Sequence, residues 1–210
     1  MDINHDCQHL NQAVLEGDNQ DSTNSATPML ETIRLRLDET TLDDSEEIFA
    51  LFSNPKVTQF YDLGAFESIH KVREFINEEI RKQQNKQMLR WAIRDKMTLD
   101  YLGGCGVNHF ESERHVAVIG YELCQEAWGK GIATEALEKV AEFLFSVACI
   151  HSVNRIEAYV MQGNTGSEMV LRKLGFIKEG VLRQHSYWKG RYHDLSLYTL
   201  LRDDWVNGNN

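Results

Sequence analysis

Trp128-Gly129-Lys130-Gly131-Ile132-Ala133-Thr134, followed without a break by Glu135-Ala136-Leu137-Glu138-Lys139-Val140-Ala141-Glu142-Phe143-Leu144, decides how the rest of this chain is read. Two glycines one residue apart stand between a β-like run, Val116 to Leu123, and a strongly helical run. Leu137, Val140, Ala141, Leu144 and Val147/Ala148 recur at the spacing of one helix face. A glycine turn that opens a helix leaves several backbone N–H groups unpaired and aimed at one spot. The helix dipole adds a partial positive charge there, worth ~0.3–1 kcal/mol per anion at an exposed site. Lys130 sets a full positive charge beside this anion cradle. A dinucleotide fingerprint needs a third glycine where Thr134 stands, and a P-loop needs Ser or Thr where Gly131 follows Lys130. What remains is a two-glycine loop suited to a pyrophosphate, with a plain strand-to-helix turn as the competing reading.

Outward from that loop, 210 residues suffice for one domain with a real core and hardly for two. No apolar run approaches the ~18–20 residues of a membrane span, and the N-terminus lacks the apolar stretch of a signal peptide. The four cysteines (Cys7, Cys105, Cys124, Cys149) form no close pair and no metal-like spacing, so they read as reduced thiols of a cytoplasmic protein. Of the net charge of −10, residues 1–31 contribute −6, with six acids and no Lys or Arg. Nothing in this balance suggests a nucleic-acid footprint, which would need a basic face. The acidity serves solubility, and it can also draw in a cationic amine.

Residues 1–30 are rich in Asn, Asp, Gln and Ser and contain no aromatic, so they read as a flexible acidic tail ahead of a single domain over 31–206. Leu10, Ala13 and Val14 form at most one docking turn, and His5-x-Cys7-x-His9 is only faintly metal-like. Thr32 to Leu37 alternates Ile33, Leu35 and Leu37 against Arg34 and Arg36, a half-buried strand. Thr41 offers an N-cap to a helix with Ile48, Leu51 and Phe52 on one face, stopped at Asn54-Pro55. A second helix spans about Ser68 to Gln84, with Ile69, Val72, Ile76 and Ile80 inward. Three strands follow, around Leu89–Ile93, Tyr101–Phe110 and Val116–Leu123. After the central helix come a strand (Arg155–Val160), a short helix over 165–174 stopped by Gly175, and a final hairpin turning at Lys189-Gly190. The order β-α-α-β-β-β-α-β-α-β-β is an α+β plan with one crossover around the central helix.

The glycine loop resembles the acetyl-CoA loop of the GNAT superfamily of N-acetyltransferases. In that six-residue signature Gly131 is fourth and Ala133 sixth, while Trp128 departs from the usual Arg or Gln. A second stretch, Asn164-Thr165-Gly166-Ser167 with Val170-Leu171-Arg172-Lys173-Leu174-Gly175-Phe176, is similar to the second GNAT motif as Rim-type ribosomal-protein N-terminal acetyltransferases carry it. Asn54-Pro55-Lys56-Val57-Thr58, Glu179 to Arg183, Gly190 to Asp194 and Leu200 to Trp205 look like the same branch. The resemblance implies a mixed, mostly antiparallel seven-stranded sheet with four helices, strands 4 and 5 (Val116–Leu123 and Arg155–Val160) splaying apart.

It implies further that acetyl-CoA is the co-substrate, with no metal. The backbone at Glu122, Leu123 and Cys124 is expected to hold the pantetheine and thioester in the splayed gap. Trp128, Gly129, Lys130, Gly131, Ile132, Ala133 and Thr134 would take the pyrophosphate, and Asn164 and Ser167 line the other wall. Glu122 is the candidate base, with His109 and His185 as alternatives. The family's usual tyrosine acid is replaced by Leu171, so Ser167 is left to hydrogen-bond the leaving thiolate. A backbone N–H near Leu123 or Cys124 would meet the oxyanion, and Cys124 lacks an activating histidine by sequence. The amine acceptor is expected between the first helices and the final hairpin, walled by Phe60, Tyr61, Tyr187 and Trp188, with His185, Arg183 and Asp194 as polar contacts.

The expected reaction is acetyl transfer to a protein N-terminal α-amine or a small amine by direct attack in a ternary complex, by a monomer or homodimer without nucleic acid or membrane. A non-catalytic acyl-CoA-binding module of the same fold is the alternative. A nucleotide-binding Rossmann-type domain is a third reading, disfavoured by the antiparallel meander.

Overall fold

The computed structural model describes residues 27–62 and 64–208. The expected metal-like spacing at His5, Cys7 and His9, and the docking turn at Leu10 to Val14, lie outside the described residues. Among the described residues eight strands form one sheet: β1 (Leu30–Glu31), β2 (Leu35–Asp38), β3 (Leu89–Asp95), β4 (Tyr101–Glu111), β5 (Val116–Leu123), β6 (Arg155–Met161), β7 (Ile177–Trp188) and β8 (Arg191–Leu201). Their spatial order is β1-β2-β3-β4-β5-β6-β8-β7, and every neighbouring pair is antiparallel except β5 with β6. This is the expected α+β sheet with one addition, the two-residue β1.

That strand exists because Thr32 closes a turn that periodicity alone does not reveal. Thr32 N–H donates to the Leu35 carbonyl at 2.9 Å, and Leu35 N–H donates back to Thr32 Oγ1 at 2.9 Å. Ile33, expected inward, therefore stands at the turn with 95% of its surface exposed. Only Leu35 and Leu37 keep the inward alternation.

The four expected helices are α1 (Ser45–Ser53), α3 (Ile69–Gln84), α4 (Ile132–Phe145) and α5 (Thr165–Lys173). Two more were not anticipated, α2 (Pro55–Thr58) and α6 (Arg202–Gly208). Asn54 ends α1 but also starts α2. Its side chain accepts from Lys56 N–H, and Pro55 takes the first helical position, where a missing N–H costs nothing. Helix α4 ends at Phe145, so Val147 is fully exposed rather than on the inward face.

One face of the sheet packs on α4 and α5. Trp91, Ile93, Ala117, Ile119 and Leu123 meet Ala136, Leu137, Val140, Ala141 and Leu144 there. A smaller apolar cluster (Ile48, Leu51, Phe52, Val72, Ile76) joins α1 to α3 over the opposite face. Between these layers β5 and β6 pair only from Val116–Arg155 to Ile119–Ala158. Beyond Ile119, β5 pairs with β4 alone, and beyond Ala158, β6 pairs with β8 alone. The two parallel strands thus diverge into a notch, at the end of the sheet where α4 begins.

Candidate active site

The notch has a polar backbone lining. Cys124 N–H donates to the Leu102 carbonyl at 2.9 Å. Neighbouring antiparallel pairs alternate between bonded and non-bonded, so the N–H and C=O of Leu123 turn away from β4 and into the notch. Tyr121, two residues earlier, shares that orientation. The sequence expectation of an N–H near Leu123 or Cys124 thus narrows to Leu123, because the Cys124 amide is already engaged. Trp128 takes the other half of this residue, its indole Nε1 donating to the Leu123 carbonyl at 2.9 Å.

At the mouth of the notch stands the glycine loop. Gly129 (φ +72°) and Gly131 (φ +78°) occupy the left-handed region, which residues with a Cβ enter at a cost of ~1–2 kcal/mol. Gly131 is the N-cap of α4 and has no side chain to satisfy the first-turn amides. A Cβ on Gly129 would meet nothing within 4 Å, and one on Gly131 only the Arg34 guanidinium at 3.5 Å. Trp128, Gly129, Lys130 and Gly131 are exposed, Ile132 and Ala133 are buried into the core, and Thr134 is intermediate. Open amides, a partial positive end and the Lys130 ammonium fit a diphosphate of about two negative charges.

The second wall is α5. Asn164 caps it by accepting from Ser167 N–H at 3.1 Å, which leaves the half-buried Ser167 hydroxyl unengaged by any described residue. Leu171 is fully buried core. Tyr121 reaches across the notch, its hydroxyl donating to the Ser167 carbonyl at 3.4 Å. Burial pushes this phenol up to about 12.

On the opposite face of the sheet Glu122 is buried in a charge cluster. Arg90 Nη2 donates to both its oxygens, at 2.5 and 2.7 Å, and Tyr61 O–H donates to Oε2 at 3.0 Å. Arg90 Nη1 also donates to Asn108 Oδ1 at 2.7 Å, and its Nε lies 3.5 Å from Glu79. Burial, then the Glu122 charge, raises the Tyr61 hydroxyl well above its ordinary range, so it stays a donor. Burial likewise raises Glu79. Two candidates from the sequence, Glu122 and Tyr61, are thereby in direct contact. The arginine paired with Glu122 was missed, since Arg90 in the alternating run Leu89–Asp95 reads as a solvent-facing residue.

The other acceptor-site candidates are spread along the hairpin. His185 stacks on Tyr159 with ring centres 5.2 Å apart, Trp188 stacks on His193 at 4.2 Å, and the exposed Tyr187 packs edge-on against Tyr192. Asp194 accepts from Gln184 N–H at 2.8 Å, and Arg183 is exposed. Lys189 at the hairpin turn ties this element to the Tyr61 loop, donating to the carbonyls of Thr58 at 2.6 Å and Tyr61 at 2.9 Å. In that loop Phe60 lies 3.8 Å from a Cβ built on Gly163, beside the end of β6. His109 is exposed beside Glu111, and burial pushes the Cys124 thiol up to about 11, which disfavours its thiolate.

Comparison with known proteins agrees with this architecture. The family model described as "Acetyltransferase (GNAT) domain" matches residues 34–177. The chain is 38% identical over 175 residues to "Uncharacterized N-acetyltransferase YoaA" of Bacillus subtilis, covering 83% of this chain and 97% of that one. It is 34% identical over 94 residues to the Escherichia coli "[Ribosomal protein uS5]-alanine N-acetyltransferase", covering 45% and 47%. The fold also superposes, with a TM-score of 0.72 and 20% identity, on spermidine N-acetyltransferase from Vibrio cholerae solved with CoA and spermine, covering 84% of this chain and 100% of that one. No helix among the described residues is long and apolar enough to cross a membrane.

Proposed function

We propose a reaction for this chain from one premise: it belongs to the GNAT acetyltransferase family and is an acetyl-CoA-dependent N-acetyltransferase. The acceptor is a primary amine, and within that class we assign a peptide or protein N-terminal α-amine. The observation that carries the assignment is the engagement of Glu122, both of whose oxygens accept from Arg90 and one from Tyr61. Few lone pairs remain to strip a proton, which suits an amine that arrives partly neutral. An α-amine has a pKa near ~8 and a lysine or polyamine near ~10.4. At neutral pH about a tenth of the former but under a thousandth of the latter is ready to attack. The alanine-modifying ribosomal relative is consistent with this reading.

In the proposed ternary complex the diphosphate lies on the amides of residues 129–133 with Lys130 beside it. The pantetheine fills the notch as an added strand against Tyr121 and Leu123, and Trp128 covers it from outside. The acceptor amine enters between the Tyr61 loop and the hairpin near His185 and Trp188. Its nitrogen bonds to the acetyl carbon and its proton passes to Glu122. The Leu123 N–H donates to the carbonyl oxygen as charge develops there. The carbon–sulfur bond then breaks, and the Ser167 hydroxyl donates to the departing thiolate.

Thiol release from acetyl-CoA tests the assignment with three acceptors: a peptide with a free N-terminal alanine, the same peptide N-blocked with an internal lysine, and spermidine. The free α-amine is expected to give kcat/KM at least tenfold above the others. Preference for lysine or spermidine overturns the acceptor assignment. Saturable CoA binding without thiol release from any amine favours the non-catalytic module.

A further inference from the structure

The turn that opens α4 carries a carboxylate where an anion site should not have one. Glu135 lies in the first turn of α4, beside the amides assigned to the diphosphate. Left alone, it would repel that ligand. It is instead held from the β1–β2 turn. Thr32 Oγ1 donates to Glu135 Oε1 at 2.5 Å and Arg34 N–H to the same oxygen at 3.0 Å. The Arg34 guanidinium grips Oε2 through Nε at 2.7 Å and Nη2 at 2.6 Å. Burial acts to raise the Glu135 carboxyl, but the Thr32 and Arg34 hydrogen bonds overcome it and hold the group below its ordinary value, so it is ionised. The same guanidinium reaches the loop itself, Nη1 donating to the Lys130 carbonyl at 3.0 Å. One side chain, far away in sequence, thus touches both the misplaced charge and the peptide that precedes Gly131. Trp128 adds no charge, which leaves Lys130 as the loop's own cation.

We propose that Arg34 is a positioning residue for the co-substrate, cancelling the Glu135 charge beside the diphosphate and setting the Lys130–Gly131 peptide. The inference rests on residues 129–133 being the diphosphate site. Both parts act on binding, so Arg34→Ala should raise KM for acetyl-CoA and leave kcat at saturation within about twofold.

The test is calorimetric binding of coenzyme A to the full chain at 50 mM and 0.5 M NaCl. Arg34→Ala is expected to raise Kd at least tenfold at low salt, and less at high salt, where the screening length contracts. Adding Glu135→Gln to Arg34→Ala should bring Kd back to within about threefold of the parent, and Arg34→Lys should stay within the same margin. A parent-like Kd for Arg34→Ala overturns the proposal, as does a double variant no better than the single. An equal loss in Arg34→Lys also overturns it. If Gly131→Glu binds coenzyme A normally, the diphosphate site itself is misassigned. If Gly131→Glu fails to bind while Arg34→Ala binds normally, only the Arg34 inference falls. Unliganded thermal unfolding of each variant separates misfolding from lost affinity.

Discussion

Replacing Gly104 by alanine tests whether the buried Glu122 cluster matters. Gly104 lies opposite Glu122 across the β4–β5 ladder. A Cβ there would sit 2.3 Å from Glu122 Oε1 and 3.3 Å from Arg90 Nη2. Heavy atoms pack at about 3.5–4.0 Å, so the carboxylate must retreat by roughly an ångström and loses its short contacts with the guanidinium. Both partners are almost fully buried, at 5% and 8% exposure, so water cannot replace what is lost. Breaking such a pair costs ~3–5 kcal/mol, from which the smaller unfolded-state entropy of alanine returns ~0.4–1 kcal/mol. The expected net loss is about 3 kcal/mol, a large part of the ~5–15 kcal/mol that holds a domain together. Urea unfolding reads this directly, and kcat should fall at least tenfold in the fraction that remains folded. In a Glu122→Ala background the same substitution should cost under about 1 kcal/mol, because the obstructing carboxylate is gone. Equal costs in both backgrounds, or parent-like stability and turnover in the single variant, would refute the reasoning.

Three further outcomes are expected. Gly131→Glu places a carboxylate against uncapped amides and forces a left-handed residue, so calorimetry should show CoA affinity lost by more than about 100-fold; retained affinity would remove the cradle. Ser167→Ala should lower kcat about tenfold at unchanged KM for acetyl-CoA, since Asn164 and not Ser167 caps α5; full turnover would exclude the hydroxyl from the chemistry. Burial pushes Cys105 and Tyr121 each up to about 12. The folded chain then keeps protons that the unfolded chain has released, so the stability linked to these groups is complete below about pH 9. It is lost as pH rises toward 12, at up to ~1.4 kcal/mol per pH unit for each group. Unfolding free energies that stay flat from pH 8 to 10.5 would contradict that burial.

Most of the architecture was legible in the linear pattern because it rests on local rules. The inward runs of α1, α3 and α4 follow helical spacing, Ser68 caps α3 and Asn164 caps α5 by local hydrogen bonds, whereas Thr41, expected to cap α1, instead caps a short 3-10 turn, Leu42–Asp44, that leads into it. The glycine loop was readable for the same reason, since left-handed glycines at a helix start act through neighbouring backbone alone. Where a side chain competes with that pattern, the reading failed. Ile33 looked like a strand residue until the Thr32 turn displaced it, and Asn54-Pro55 looked like a stop while also starting α2.

Chain order alone determined the α+β plan and the place of the crossover, because periodicity and turn chemistry are properties of neighbours. Only the tertiary structure decided which polar groups meet. Glu122 accepts from both Arg90 and Tyr61, Arg34 holds Glu135 across 101 residues of chain, and Lys189 reaches Tyr61 across 128. Such pairings follow from strand register and from which face each side chain leaves, and an isolated charged residue in an alternating strand carries neither.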